Sequence, residues 1–106
     1  MKVNFSKNGN LIYEGYVSLY EDMWCLQMAD CSFAAEMPTK QGLIDEAFSI
    51  LEWYILRNIE HDHGVFLPKT KLKPKKGYEI IEFELDKELS DMVMDFVEAG
   101  GKVFNA

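Results

Sequence analysis

Leu11-Ile12-Tyr13-Glu14-Gly15-Tyr16-Val17-Ser18-Leu19-Tyr20 is the stretch whose reading decides the fold. Leu11, Tyr13, Val17 and Leu19 share one parity, and Ile12, Glu14, Tyr16, Ser18 and Tyr20 share the other. Alternation of this kind, rich in β-branched and aromatic residues, predicts a half-buried strand. Glu21-Asp22 follows as a polar break of hairpin length, without the usual Gly or Asn. A second strand over Met23 to Ala29 and a short third one over Ser32 to Glu36 complete an antiparallel meander.

Pro38-Thr39 then opens a helix from about Lys40 to Glu60. Thr39 is placed to cap its first turn, Asp45-Glu46 lie near the positive end of its dipole, and Gly42 weakens its start. Ile44, Phe48, Leu51 and Ile55 form one stripe at helical spacing. Leu43, Ala47, Ile50, Trp53, Tyr54, Leu56 and Ile59 carry apolar surface almost round the cylinder. One sheet covers only one such face, so a second helix or a second subunit is expected to cover the rest, and a homodimer is the expectation drawn from it. Gly64 is the expected stop. Tyr78 to Asp86 alternates again: Ile81, Phe83 and Leu85 on one side, Glu82, Glu84 and Asp86 on the other. Lys87 to Ala99 reads as an amphipathic helix with Leu89, Met92, Val93, Phe96 and Val97 inward, stopped by Gly100-Gly101. The expected order is β-β-β-α-β-α, an α+β fold in a single domain spanning residues 1–106.

Length and composition agree. The chain has 106 residues, 48% hydrophobic and 27% charged, which suits one globular domain and excludes a low-complexity or disordered segment. No apolar stretch approaches the roughly 18 residues of a membrane span, and the first residues lack the apolar core of an export signal. A cytoplasmic location without membrane contact is the expectation. The formal charge is −7, which disfavours direct binding to a phosphate backbone. Charge is also segregated: Lys69 to Lys76 holds five of the eleven basic residues, leaving six basic groups elsewhere against eighteen acidic ones. Prolines and like charges make that segment an exposed, solvated loop.

Chemistry-bearing motifs are sparse. Cys25 and Cys31 do not have metal-pair spacing and read as small core or turn residues. His61-Asp62-His63 is the one metal-like cluster, but nothing elsewhere completes a ligand set, and imidazolium is favoured at a helix end in any case. There is no phosphate loop, GxSxG or HExxH. A Cys31–His61 or Cys31–His63 pair would be the only nucleophile and base, with no spacing to support it. The chain is read as non-enzymatic, with no cofactor, no metal and no catalytic residue.

The order of elements resembles the N-terminal domain of HicB-type antitoxins. The residues that carry the resemblance are the meander from Leu11, the helix-opening Asp45-Glu46-Ala47-Phe48, the stretch Ile59-Glu60-His61-Asp62-His63-Gly64-Val65-Phe66-Leu67-Pro68, and the strand Ile80-Ile81-Glu82-Phe83-Glu84-Leu85-Asp86. The resemblance implies a partial ribonuclease-H-like fold without the nuclease site, in which the last strand lies beside the first. It also implies a HicA-type toxin, a small basic ribonuclease, as partner. The family's Pro-x-x-Pro-Gly-Cys turn and its Gly-Asp-Thr stretch are missing here, and only one short helix follows the last strand where the family carries a DNA-binding domain.

With Leu11, Val17 and Leu19 toward the helix, Ile12, Glu14, Tyr16 and Tyr20 face outward beside Glu82, Glu84 and Asp86. Tyrosine supplies rigid contact area, and a row of like charges along a strand is best tolerated against a neutralising partner. The expected partner surface is Tyr16, Tyr20, Glu82, Glu84 and Asp86, on a small acidic inhibitor of a basic protein. The alternatives are a phage- or plasmid-encoded inhibitor of a nucleic-acid-processing enzyme, its carboxylates imitating phosphates, and a metal-binding or enzymatic protein using His61 and His63.

Overall fold

The computed structural model describes residues 2–104. The long alternating stretch forms β1 (Ile12–Tyr20), followed by β2 (Met23–Met28), β3 (Ala34–Met37), α1 (Lys40–Glu60), β4 (Glu79–Glu84) and α2 (Lys87–Glu98). The fold is α+β, in the expected order. The four strands make one antiparallel sheet in the order β3-β2-β1-β4, so β4 does lie beside β1. The β1–β2 turn has Glu21 and Asp22 both at positive φ, 48° and 68°. That is the mirror-image turn whose twist suits a two-residue hairpin, made here without glycine.

The register sorts the two faces. Val17 pairs with Leu26 and Tyr13 with Phe83, and these residues point toward the helices. With Leu11, Leu43, Ala47, Leu51, Ile55, Leu85 and Val93 they form the core. The ring of Phe48 meets that of Phe83 at 6.0 Å between centroids. Gly15 is required in the centre of β1, because a Cβ there would lie 2.7 Å from Leu26 Cδ1 and 3.2 Å from the Gln27 carbonyl.

Three expectations change in detail. The buried line of α1 is Leu43, Ala47, Leu51, Ile55 and Asn58, with Ile44 and Phe48 only half-buried beside it. Leu19 keeps its helix-side parity but is 57% exposed, since the β1–β2 tip extends past the core. The second side of α1 is met from within the chain, by α2 and by Phe66, whose ring lies 6.3 Å from Tyr54. Trp53 and Leu56 stay exposed.

The direction of β4 has a topological cause. β3 runs parallel to β1, because both are antiparallel to β2. A helix returning from β3 straight into a strand would make that strand parallel to β1. Here the chain crosses the molecule once more between α1 and β4, and β4 enters antiparallel to β1.

The start of α1 gives a stability test. Thr39 Oγ1 accepts from the Gly42 N–H at 3.0 Å, and a Cβ on Gly42 would stand 2.7 Å from that oxygen. Glycine at position 42 therefore makes room for the cap. An exposed helical Gly→Ala change ordinarily gains about 1 kcal/mol. Gly42→Ala is expected to give no net gain in urea unfolding of the otherwise wild-type chain. In a Thr39→Ala background, where the obstructing hydroxyl is gone, the gain should reappear.

Candidate interaction surface

The sheet's outer face is built around a buried carboxylate. Glu14 points away from the helices, as its parity requires, yet it is only 3% exposed. What covers it is the segment 69–77, which climbs the outer face alongside β1 before turning into β4. The segment is anchored first at Asp30, just beyond β2. That carboxylate accepts from Lys69 N (3.1 Å), Thr70 N (2.9 Å) and Thr70 Oγ1 (2.8 Å). Glu14 takes the next step, accepting from Leu72 N at 2.8 Å while Lys71 Nζ sits 3.1 Å from its other oxygen. Tyr16 then donates its hydroxyl to the Lys73 carbonyl at 2.5 Å. Lys75 Nζ lies 4.4 Å from the centre of the Tyr78 ring, which itself packs edge-on to Tyr16 at 5.5 Å.

The lysine segment is exposed, as its composition requires, but it is a strap and not a free connection. Its side chains mostly reach water while its backbone is bonded to Glu14 and Tyr16 of β1 and to Asp30 and Asn4 outside the sheet. The pairing with Glu14, first by hydrogen bond and then by charge, holds Lys71 protonated above the ordinary lysine range. Its contribution to holding the strap is complete at neutral pH and is lost only as pH rises through that elevated value.

The five residues expected to form one partner surface are placed differently. Tyr16 is half-buried under the strap, and Tyr20 stands 67% exposed at the hairpin tip, beyond the end of the β1–β4 pairing. Glu82 and Glu84 share the outer face near Glu14 and Ile12. Glu82 is 57% exposed with Lys71 Nζ at 3.8 Å, and Glu84 accepts from Asn10 Nδ2 at 3.0 Å. Asp86 caps α2, its carboxylate accepting from Leu89 N at 2.7 Å. Glu82 and Glu84 floor a hollow rimmed by Phe5, Lys7, Asn8 and Lys71. The roles of Asp30, Asn10 and Phe5 carry no local pattern in the sequence, because each acts on a segment remote along the chain.

The other chemistry-bearing groups are arranged as follows. Cys25 and Cys31 are free thiols. Burial, then the neighbouring Asp30, pushes the Cys31 thiol up to about 12, so it stays protonated and unreactive at neutral pH. Burial likewise raises the Tyr13 phenol, whose hydroxyl donates to the Phe66 carbonyl. His61 caps α1 through its backbone, and its ring stacks on His63 at 5.7 Å. Among the described residues no three His, Cys, Asp or Glu side chains gather as a metal site would require. No helix of the described residues is long and apolar enough to cross a membrane. In comparisons with known proteins, no family model, no curated protein and no solved structure matches this chain.

The strap makes its own prediction. Glu14→Ala strips the Leu72 amide and Lys71 of their acceptor, and a change of this kind costs about 1–3 kcal/mol. Lys73→Ser removes a solvated side chain whose backbone carbonyl still accepts from Tyr16, and should shift stability by about 0.5 kcal/mol or less. Paired urea titrations check both. Equal effects of the two changes would mean that the strap is not held through Glu14.

Proposed function

We propose that this chain is a small acidic binding protein that docks on, and inhibits, a basic protein partner. The observation that carries the reading is the pair of outward carboxylates on β4. Glu82 and Glu84 project from a strand at the margin of the sheet, on a chain of net charge −7. Lys71 and Asn10 reach them but leave Glu82 more than half exposed. The strap neutralises Glu14, which leaves Glu82 and Glu84 as the outward carboxylates of the β1–β4 half of the sheet, with Asp86 and Glu88 exposed beyond them at the start of α2. Of the five residues first assigned to the surface, Glu82, Glu84 and Asp86 carry the charge. Tyr16 serves by holding the strap in place, and Tyr20 lies outside the acidic patch.

On the resemblance drawn from its sequence, the partner is a toxin of the HicA type, a small basic ribonuclease whose active site the acidic surface would occlude. A HicA-type toxin, supplied as a purified catalytically disabled protein, is therefore the first partner to try. Self-association belongs to the same reading, through the exposed Trp53 and Leu56 of α1. It is measured by light scattering at tens of micromolar, roughly the range in which a weak dimer is populated, on wild type and Trp53→Ala.

Glu82→Gln/Glu84→Gln keeps side-chain size and removes two charges. Association with the basic partner is expected to slow by about ten-fold at low salt, with little change at high salt, since charge complementarity acts first on encounter. Stability should hold or rise slightly as repulsion along the strand is relieved. Stopped-flow association rates at two ionic strengths read this directly. Equal rates and equal salt slopes for wild type and variant would remove the β4 carboxylates from the mechanism.

A further inference from the structure

Beyond its side chains, β4 offers its backbone. Among the described residues no strand pairs with its far side, so it is an edge of the sheet, six residues long. The ladder tells which groups are free there. Leu85 N donates to Leu11 O, in the same register that pairs Phe83 with Tyr13 and Ile81 with Gly15. Hydrogen-bonding direction alternates along an antiparallel strand. The odd-numbered residues of β4 therefore turn their N–H and C=O groups toward β1, and Ile80, Glu82 and Glu84 turn theirs toward the open edge. These are also the residues whose side chains face outward. The carboxylates and the unpaired backbone groups belong to the same positions.

Such an edge is a template for an added strand. An antiparallel newcomer would bond through alternate residues, set directly opposite Glu82 and Glu84 with their side chains on the same outer face, about 5 Å away. Charge decides what those residues are. A second copy of this chain pairing β4 with β4 would set carboxylate against carboxylate, which is unfavourable. Lysine or arginine at these positions would meet Glu82 and Glu84 at the hollow bounded by Phe5 and Lys71.

We propose that β4 is a docking edge which captures an extended basic segment of another protein by antiparallel strand addition, with alternate Lys or Arg residues opposite Glu82 and Glu84. The proposal rests on the acidic-binder reading and deepens it, by naming the conformation of the bound segment and the backbone groups that hold it.

The test uses three short capped peptides of alternating Lys and Val, titrated into the full chain and followed by amide resonances and amide hydrogen exchange. The first is unmodified. The second is N-methylated at the Lys positions, whose N–H groups would bond to β4. The third is N-methylated at the Val positions, whose N–H groups would point away. The expected result is binding of the first and third, with slowed exchange at Ile80, Glu82 and Glu84. Exchange at Ile81 and Phe83, already bonded to β1, should not change. N-methylation at Lys should weaken binding by about ten-fold or more, the loss of two or three backbone hydrogen bonds. Equal binding of all three peptides, lost in Glu82→Gln/Glu84→Gln, would overturn strand addition while leaving the acidic-binder reading intact. Failure of all three to bind, or binding insensitive to the Gln substitutions, would overturn both.

Discussion

A carboxylate buried in the central strand governs the outer half of this molecule. Glu14 lies in β1 between its neighbours Ile12 and Tyr16, almost wholly removed from water. A charged group in that position is sustained only if its oxygens are paired and hydrogen-bonded. The sheet itself offers nothing suitable, since the residue opposite on β4 is Glu82, another acid. The partners come from the strap, as the Leu72 amide and the Lys71 ammonium. Fixing the strap to the outer face in turn sets where the chain re-enters the sheet. From the Tyr16–Lys73 bond it is a short turn to Tyr78 and the first residue of β4.

The strap also redistributes charge. In the sequence, lysines and carboxylates are separated; in the fold, Lys71 is brought back over Glu14, the one acid of β1, and reaches Glu82 of β4. Neutralisation is close at Glu14, where burial demands it, and looser at Glu82, where the side chain is wet and an exposed ion pair contributes little. On the β1–β4 half of the outer face the carboxylates left in water are those of β4, an edge strand whose unpaired backbone groups accompany them. At Glu82 and Glu84 a carboxylate and free N–H and C=O groups belong to the same residue, a combination a solvated helix face does not provide.

The opposite face is organised by ordinary apolar packing, with one economy of cover. α1 is too apolar to be satisfied by the sheet alone, and its remaining surface is shared between α2 and the Phe66 region that leads into the strap. The same connecting segment thus serves both faces: its first part packs on α1, and its second part seals Glu14. Trp53 and Leu56 are what this arrangement leaves uncovered.

The sequence by itself determined the elements and the sides they present. Period-two alternation in Leu11–Tyr20 and Tyr78–Asp86 and helical spacing across Lys40–Glu60 are local signals, fixed by backbone geometry, and the strands and helices formed where those signals stand. The outward parity of Glu82 and Glu84 was legible for the same reason. The depth of burial at each position was not. Glu14 has the pattern of a solvated residue, and the lysine segment has the composition of a free loop. Only the tertiary path that lays one across the other, anchored by Asp30 forty positions away, buries Glu14 beneath the segment and pairs it with the still-exposed Lys71. The antiparallel entry of β4, its place at the sheet's edge and the direction of its free N–H and C=O groups were likewise decided by that path. These depend on contacts between segments distant in the chain, and periodicity within a segment carries no record of them.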